Sequence, residues 1–291
     1  MKILLTWHND PPDPPYWEWI PELDGLVVSL SSIKPKNIDR MTFRNLKTET
    51  SRRLLIVVDS LTSALWKCGG VDYLRLQSWI MHVQRSLGAD ILVHKDYPLI
   101  DRSLSVDVKM KLLRKTIINA EFAVRLADKL GIDVMLVVQG WDRKSYARCA
   151  EAFKDLGIKY VGVGSLAPMR SNIIGILRGV REVLGRRVHL HVFGMSSPSV
   201  LHELVKLSDS TDISTPIRAA IARECLVVKE GRIKRVKFSL LGEAITDLAF
   251  DEISRSLIEG IKNALTAREL IRKLAILNAY TLVNYVKKML R

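Results

Sequence analysis

Two aspartates and one glutamine close short apolar runs of this sequence, and a third aspartate lies within a weaker run. Asp59 follows Val57-Val58, Asp96 follows His94-Lys95, Gln139 follows Val138, and Asp212 lies within Ser210–Thr215. Gly164-Ser165 and Phe193-Gly194 close two further runs. If these runs are parallel strands of one sheet, their carboxyl ends meet on one rim, where active sites of such folds are built. Carboxylates gathered there repel one another, and such clusters serve acid–base or nucleophilic chemistry. Each residue also has a plain structural use. Asp59-Ser60 can cap a helix, Asp96 before Tyr97-Pro98 can form a turn, and Gln139-Gly140 or Gly164-Ser165 can punctuate loops. Three aspartates on one rim are harder to explain that way.

The elements that must position these residues alternate. The β-branched runs are Ile3–Trp7, Leu26–Leu30, Leu54–Asp59, Asp90–Asp96, Val134–Gln139, Tyr160–Gly164, Val188–Gly194 and Ser210–Thr215. The early ones are continuously apolar, as a strand buried on both faces requires. Helical periodicity fills Tyr73–Ser86, Lys109–Leu130, Lys144–Leu156, Asn172–Leu184 and Ser199–Leu207. Eight strands alternating with helices predict an α/β fold, a TIM-type (β/α)8 barrel; a doubly wound open sheet is the competing architecture. Pro11–Pro21, with Tyr16, Trp17 and Trp19, reads as an irregular aromatic loop. Leu226–Val228 and Ile233–Phe238 flank Glu230-Gly231 as a hairpin, and a helix from about Ala264 to Leu290 closes the chain. Residues 1–222 would form the barrel and 223–291 a C-terminal elaboration packed on it, together one structural domain.

Composition narrows the partners. Of 291 residues 48% are apolar, which excludes a disordered or linker-dominated chain. No apolar run reaches the roughly 18 residues of a transmembrane helix, and the first residues lack a signal-peptide layout. Cys68, Cys149 and Cys225 form no CxxC pair, which suits a reducing cytoplasm. The net charge of +14 attracts polyanions, phosphate backbones first among them. Lys229, Arg232, Lys234, Arg235 and Lys237 concentrate that charge in the hairpin, either as a solvated face or as a phosphate clamp near Asp212. The Pro/Trp loop could stack an unpaired base or pack on the core. His189 and His191 share a strand face without a third ligand nearby, so no metal is expected. Leu270, Leu274, Leu277 and Val283 of the last helix read as core or dimer surface. Gly194-Met195-Ser196-Ser197 makes a poor phosphate loop, which weighs against a barrel enzyme of small phosphorylated metabolites.

In order, the segments VVDS (57–60), ADILVHKD (89–96), VVQG (137–140), YVGVGSLA (160–167), HVFGMSSP (191–198) and TDISTPIRAA (211–220) resemble the tRNA-guanine transglycosylase superfamily. The stretch 59–73, with Trp66 and Gly69-Gly70, is most similar to the DpdA branch, which places a 7-deazaguanine in DNA. The resemblance implies exchange of guanine in a nucleic acid, tRNA or DNA, for a free 7-deazaguanine base, without a cofactor. Asp212 would be the nucleophile and Asp59 the second catalytic aspartate. Asp96 and Gln139 would bind the polar edge of the base, Gly164 and Ser165 would lie against it, and Leu166 and Phe193 would line its pocket. Arg218 and the hairpin cations would contact the polymer. The family's zinc module is missing: Cys225 stands alone and Leu277-Asn278 replaces a His-Asn pair. Leu61-Thr62-Ser63 replaces a Gly-Gly-aromatic loop, Ser165 a glycine and Phe193 a methionine. A homodimer or a partner subunit is therefore an open expectation, and a catalytically silent nucleic-acid-binding relative is the competing reading.

Overall fold

The computed structural model describes residues 1–8, 13–29, 46, 50, 54–60, 73–99, 101–166, 169, 172–194, 198–241, 248 and 250–290. The loop after Asp59, with Trp66, Cys68 and Gly69-Gly70, lies outside them, as does 195–197. Eight strands run parallel: β1 Lys2–Trp7, β2 Gly25–Val28, β3 Leu55–Val58, β4 Ile91–Val93, β5 Asp133–Val138, β6 Tyr160–Val163, β7 His189–Val192 and β8 Ser210–Ile213. Strand β1 pairs with both β2 and β8, so the sheet closes into a barrel and the open-sheet alternative falls.

Strand alternation divides the apolar side chains into two cores. Leu4, Val27, Val57, Ile91, Val93, Met135 and Val137 fill the barrel interior. Their neighbours Ile3, Leu5, Leu26, Ile56, Leu92, Leu136 and Val138 face outward into the core shared with the helices. Those helices are α1 Tyr16–Trp19, α2 Tyr73–Ser86, α3 Val106–Leu130, α4 Arg143–Lys154, α5 Ile173–Leu184, α6 Pro198–Leu207, α7 Thr215–Ile221, α8 Phe238–Leu241, α9 Glu252–Lys262 and α10 Ala267–Leu290. Their ends carry standard signals: Asp142 and Asp251 cap α4 and α9 in capping boxes completed by Ser145 and Ser254, and Gly131 ends α3 at φ 62°.

The structure differs from the sequence expectations at α1 and ahead of the closing helix, and it decides between the two readings of that helix's apolar face. The segment 13–21 is not an irregular loop, because a helical turn forms at α1. Tyr16 and Trp17 are buried there, with Trp17 against Trp7 at a ring-centroid distance of 5.9 Å. Helices α7 and α9, which the periodicity did not single out, precede the closing helix, which begins at Ala267. The face with Leu274, Leu277 and Val283 is core: all three are buried, and α10 packs against α7, α9 and β9.

The hairpin is β9 Glu224–Lys229 and β10 Arg232–Lys237, an antiparallel pair outside the barrel. Its orientation follows from α10. The Tyr285 hydroxyl donates to the Gly231 carbonyl at the hairpin tip (2.9 Å). Two residues on, Lys287 pairs with Asp24 (2.7 Å), which precedes β2 and accepts from the Ile3 N–H (2.8 Å). The tip therefore lies toward the amino ends of the strands, away from the rim that carries the aspartates.

Candidate active site

The strand ends meet around a pocket of ≈ 170 Å³ lined by Asp59, Ser60, Val93, Asp96, Pro98, Val137, Gln139, Gly164, Ser165 and Phe193. Six of the expected site residues thus share one wall. Leu166 does not: it is fully buried in the outer core, because the chain turns outward after Ser165.

The β4 end is fixed from behind by polar side chains of two helices. Gln84 of α2 donates to the Asp59 carbonyl (3.0 Å) and the Val93 carbonyl (2.9 Å) and accepts from the Val93 N–H (3.1 Å). Gln77 accepts from the Lys95 N–H (2.6 Å), Asn119 of α3 donates to the Lys95 carbonyl (3.0 Å), and Thr116 accepts from the Tyr97 N–H (3.1 Å). A strand end extended past its ladder leaves backbone groups that must find partners, and these four residues supply them. His94 accepts from the Val137 N–H (3.0 Å) and stands edge-on to Phe153. Burial lowers its pKa to about 4, against the opposing pull of Asp96. Burial also lowers Lys95 to about 8.

Asp96 is thereby held where its carboxylate accepts from the Ser60 hydroxyl (3.0 Å) and from Nε2 of Gln139. An ionised carboxylate only accepts, so the Gln139 amide must present Nε2 to it and turn Oε1 away. That Oε1 is buried without a hydrogen-bond partner among the described residues. A buried orphan acceptor in a pocket wall is a place for a ligand N–H.

Strand β6 makes room for this arrangement. A Cβ on Gly164 would lie 2.4 Å from Gln139 Nε2, and one on Gly162 would lie 2.4 Å from the Phe193 ring. The Tyr146 hydroxyl donates to the Gly164 carbonyl (2.8 Å). Ser165 follows at φ 60°, a left-handed conformation that costs a non-glycine residue about 1 kcal/mol or more.

Asp212 stands beside the pocket, 5% exposed. Its Oδ2 accepts from the Thr6 hydroxyl (2.8 Å) and its Oδ1 from the Gly194 N–H (2.7 Å). His191 Nε2 lies 3.4 Å from the same Oδ1, near enough for attraction and long for a hydrogen bond. Burial alone would raise the Asp212 pKa. His191, Gly194 and Thr6 outweigh it and hold the carboxyl below the usual carboxylate value. The Ser210 hydroxyl contacts His191 Nδ1 and His189 Nε2, both at 2.8 Å. With the His191 proton on Nε2 toward Asp212, Nδ1 must accept from Ser210, which in turn accepts from His189. The His191 ring also meets Phe193 edge-on at 4.4 Å. Thr6, Gln77, Gln84 and Asn119 were not singled out from sequence, and His191 was weighed there only as a metal ligand beside His189. Strand alternation put His191 on the Asp212 side of the barrel, and that was the one usable signal.

The cations are dispersed. Arg218 is exposed on α7, just past the β8 end. In the hairpin Lys234 pairs with Glu230 (3.0 Å), and Lys237 and Arg235 flank Glu224 (3.1 and 3.8 Å). Lys229 and Arg232 make no ion pair among the described residues. The hairpin tip points away from the rim that carries Asp212. Cys225 is buried in β9, where burial pushes its thiol up to about 11. Among the described residues no group of three or more His, Cys, Asp or Glu could hold a metal. No described helix is long and apolar enough to cross a membrane.

A DNA-guanine transglycosylase of Salmonella montevideo is 28% identical over 86 residues, covering 29% of this chain and 21% of that protein. The chain therefore spans about a fifth of that relative's length. The family described as queuine tRNA-ribosyltransferase matches residues 74–287. That match takes in well over half the chain and every strand end from Asp96 to Asp212, and the chain belongs to this family.

Proposed function

We propose that the barrel exchanges a guanine in a nucleic acid for a free 7-deazaguanine base through an aspartyl-glycosyl intermediate. Asp212, ionised, held by the Thr6 and Gly194 donors and faced by His191, attacks C1′ of the target nucleotide. The C1′–N9 bond breaks, its electrons leave with the base, and Asp59 supplies the proton the base requires. The incoming base returns a proton to Asp59, attacks C1′ and displaces Asp212. One glycosidic bond replaces another, so the electron count closes without redox change.

The observation that carries this reading is the Asp96–Gln139 pair beside Asp212. Two acceptors, the Asp96 carboxylate and the orphan Gln139 Oε1, point at a small pocket floored by Gly164. They suit the N1–H and exocyclic amine of guanine. The target base must leave its stack to reach them, at a cost of a few kcal/mol that is least in a loop or single strand. Arg218, with Lys229, Arg232, Lys234, Arg235 and Lys237 farther off, would meet phosphates of the polymer. A cytoplasmic setting is part of the same proposal.

Incorporation of radiolabelled guanine into bulk tRNA and into DNA, wild type beside Asp212→Ala, tests the reading. Label in one polymer that disappears in the variant is the expected result. Full incorporation by Asp212→Ala would overturn the nucleophile. No label in either polymer, with both still bound, would favour a silent binding protein.

A further inference from the structure

A second cavity, of ≈ 530 Å³, opens between the segment after β1 and the first half of α10. Pro14, Pro15 and Trp19 line one side, and Arg268, Arg272 and Lys273 the other. Arg268 and Arg272, four apart on one helix face, are exposed and make no ion pair among the described residues. The local acids are partly neutralised from within. Glu269 pairs with Lys273 (2.6 Å) and accepts from the Leu265 N–H (3.1 Å), leaving Glu18 as the opposing charge.

Trp19 is 37% exposed, while Trp17 in the same turn is anchored on Trp7, so the exposed ring is presented from a fixed base. Its position relative to Asp212 follows from β1. Thr6 bonds Asp212, and two residues later His8 is joined to Asp13: Asp13 N–H donates to the His8 carbonyl (2.7 Å) and His8 N–H to the Asp13 carboxylate (2.8 Å). Pro14 follows at once. The cavity therefore lies on the Asp212 side of the barrel, a short step from the nucleophile.

We infer that this cavity binds a nucleotide flanking the target in a single nucleic-acid strand, its base on Trp19 and its phosphates on Arg268 and Arg272. An aromatic platform beside unpaired arginines is the chemistry that holds single strands without reading sequence. The inference rests on the transglycosylase reading for its purpose, and its binding test is separate. Fluorescence anisotropy with a labelled single strand of about twelve nucleotides, in DNA and RNA versions of one sequence, is the measurement. Arg268→Glu with Arg272→Glu should weaken binding at least tenfold and lower the salt slope by about 1.4, at ~0.7 per lost phosphate contact. Trp19→Ala should weaken it at least fivefold, with Trp19→Phe restoring most of the loss. Lys129→Glu with Lys154→Glu makes the same change in net charge on remote helices and should have the smaller effect. DNA or RNA preference identifies the polymer. Failure of the wild type to bind either strand, or site variants no weaker than the remote control, would overturn the cavity. Guanine exchange is scored alongside. Exchange with unaffected binding leaves the reading and removes the cavity, whereas weakened binding without exchange does the reverse.

Discussion

At the scale of single residues, the proposed chemistry depends on keeping Asp212 ionised while buried. Burial works against the charge, and the Thr6 hydroxyl, the Gly194 N–H and the His191 ring work for it. A depressed carboxyl pKa would keep the proposed nucleophile ready to the acid side of the ordinary range. In His191→Phe the ring against Phe193 is retained and the N–H is lost, so burial gains weight. The acid limb of the pH profile of kcat/KM should then move to higher pH. Gln in place of His191 can offer an N–H at similar reach and should bring the limb part of the way back. An acid limb that stays put in His191→Phe would show that Thr6 and Gly194 suffice. The sequence showed His191 beside His189 on one strand face but hid its contact with Asp212, because that contact depends on Ser210 and Asp212 of the next strand, a pairing that only the barrel register creates.

At the scale of elements, β6 is the seat for side chains of its neighbours. Gly164→Ala brings a Cβ within 2.4 Å of Gln139 Nε2, which is the mobile end of a side chain and can move away. The fold should survive while the Asp96–Gln139 pair breaks, and the base KM should rise on the order of tenfold. Unchanged KM would mean Gln139 does not orient the base. Asn278 plays the corresponding structural part in α10. It accepts from the Leu226 N–H (2.7 Å) and donates to the carbonyls of Glu224 (2.9 Å) and Pro216 (3.3 Å), tying β9 and α7 to the closing helix. Asn278→Ala would orphan buried backbone groups and should cost about 3 kcal/mol in urea unfolding. A loss below about 1 kcal/mol would mean that water or local shifts replace the amide. Most strands were legible because continuous Val, Ile and Leu runs have few other uses, and Asp59, Asp96 and Gln139 because they end such runs; β8, Ser210–Ile213, was the weakest run and Asp212 lies within it. Helix α7 was not, being only seven residues long, and α9 opens on an Asp251–Ser254 box in place of the usual Glu or Gln partner. The helix-borne Gln77, Gln84 and Asn119 were illegible for another reason. Polar residues in a helix normally face water, and these face the strand ends only because the β4 backbone leaves its ladder there.

At the scale of the whole molecule, the buried groups that build the site also set how the fold responds to acid. His94 is fully buried and its pKa is lowered from 6.5 to about 4 by desolvation. The unfolded chain therefore binds this proton first as pH falls. The stabilisation from keeping His94 neutral is complete above about 6.5 and is lost progressively toward 4. At ~1.4 kcal/mol for each unit of pKa, the full loss is about 3 kcal/mol. Asp212 acts in a lower window. Its folded pKa lies below 3.8, so its contribution is present above that value and falls away beneath it. Both terms have the same sign, and they separate on the pH axis. Thermal unfolding followed from pH 7 to 4 should show Tm falling across the His94 window while Asp212 is still ionised. In His94→Gln that slope should flatten, with a lower Tm at pH 7 from the altered contacts with Val137 and Phe153. A slope unchanged by the substitution would assign the acid sensitivity to other groups and leave His94 a packing residue.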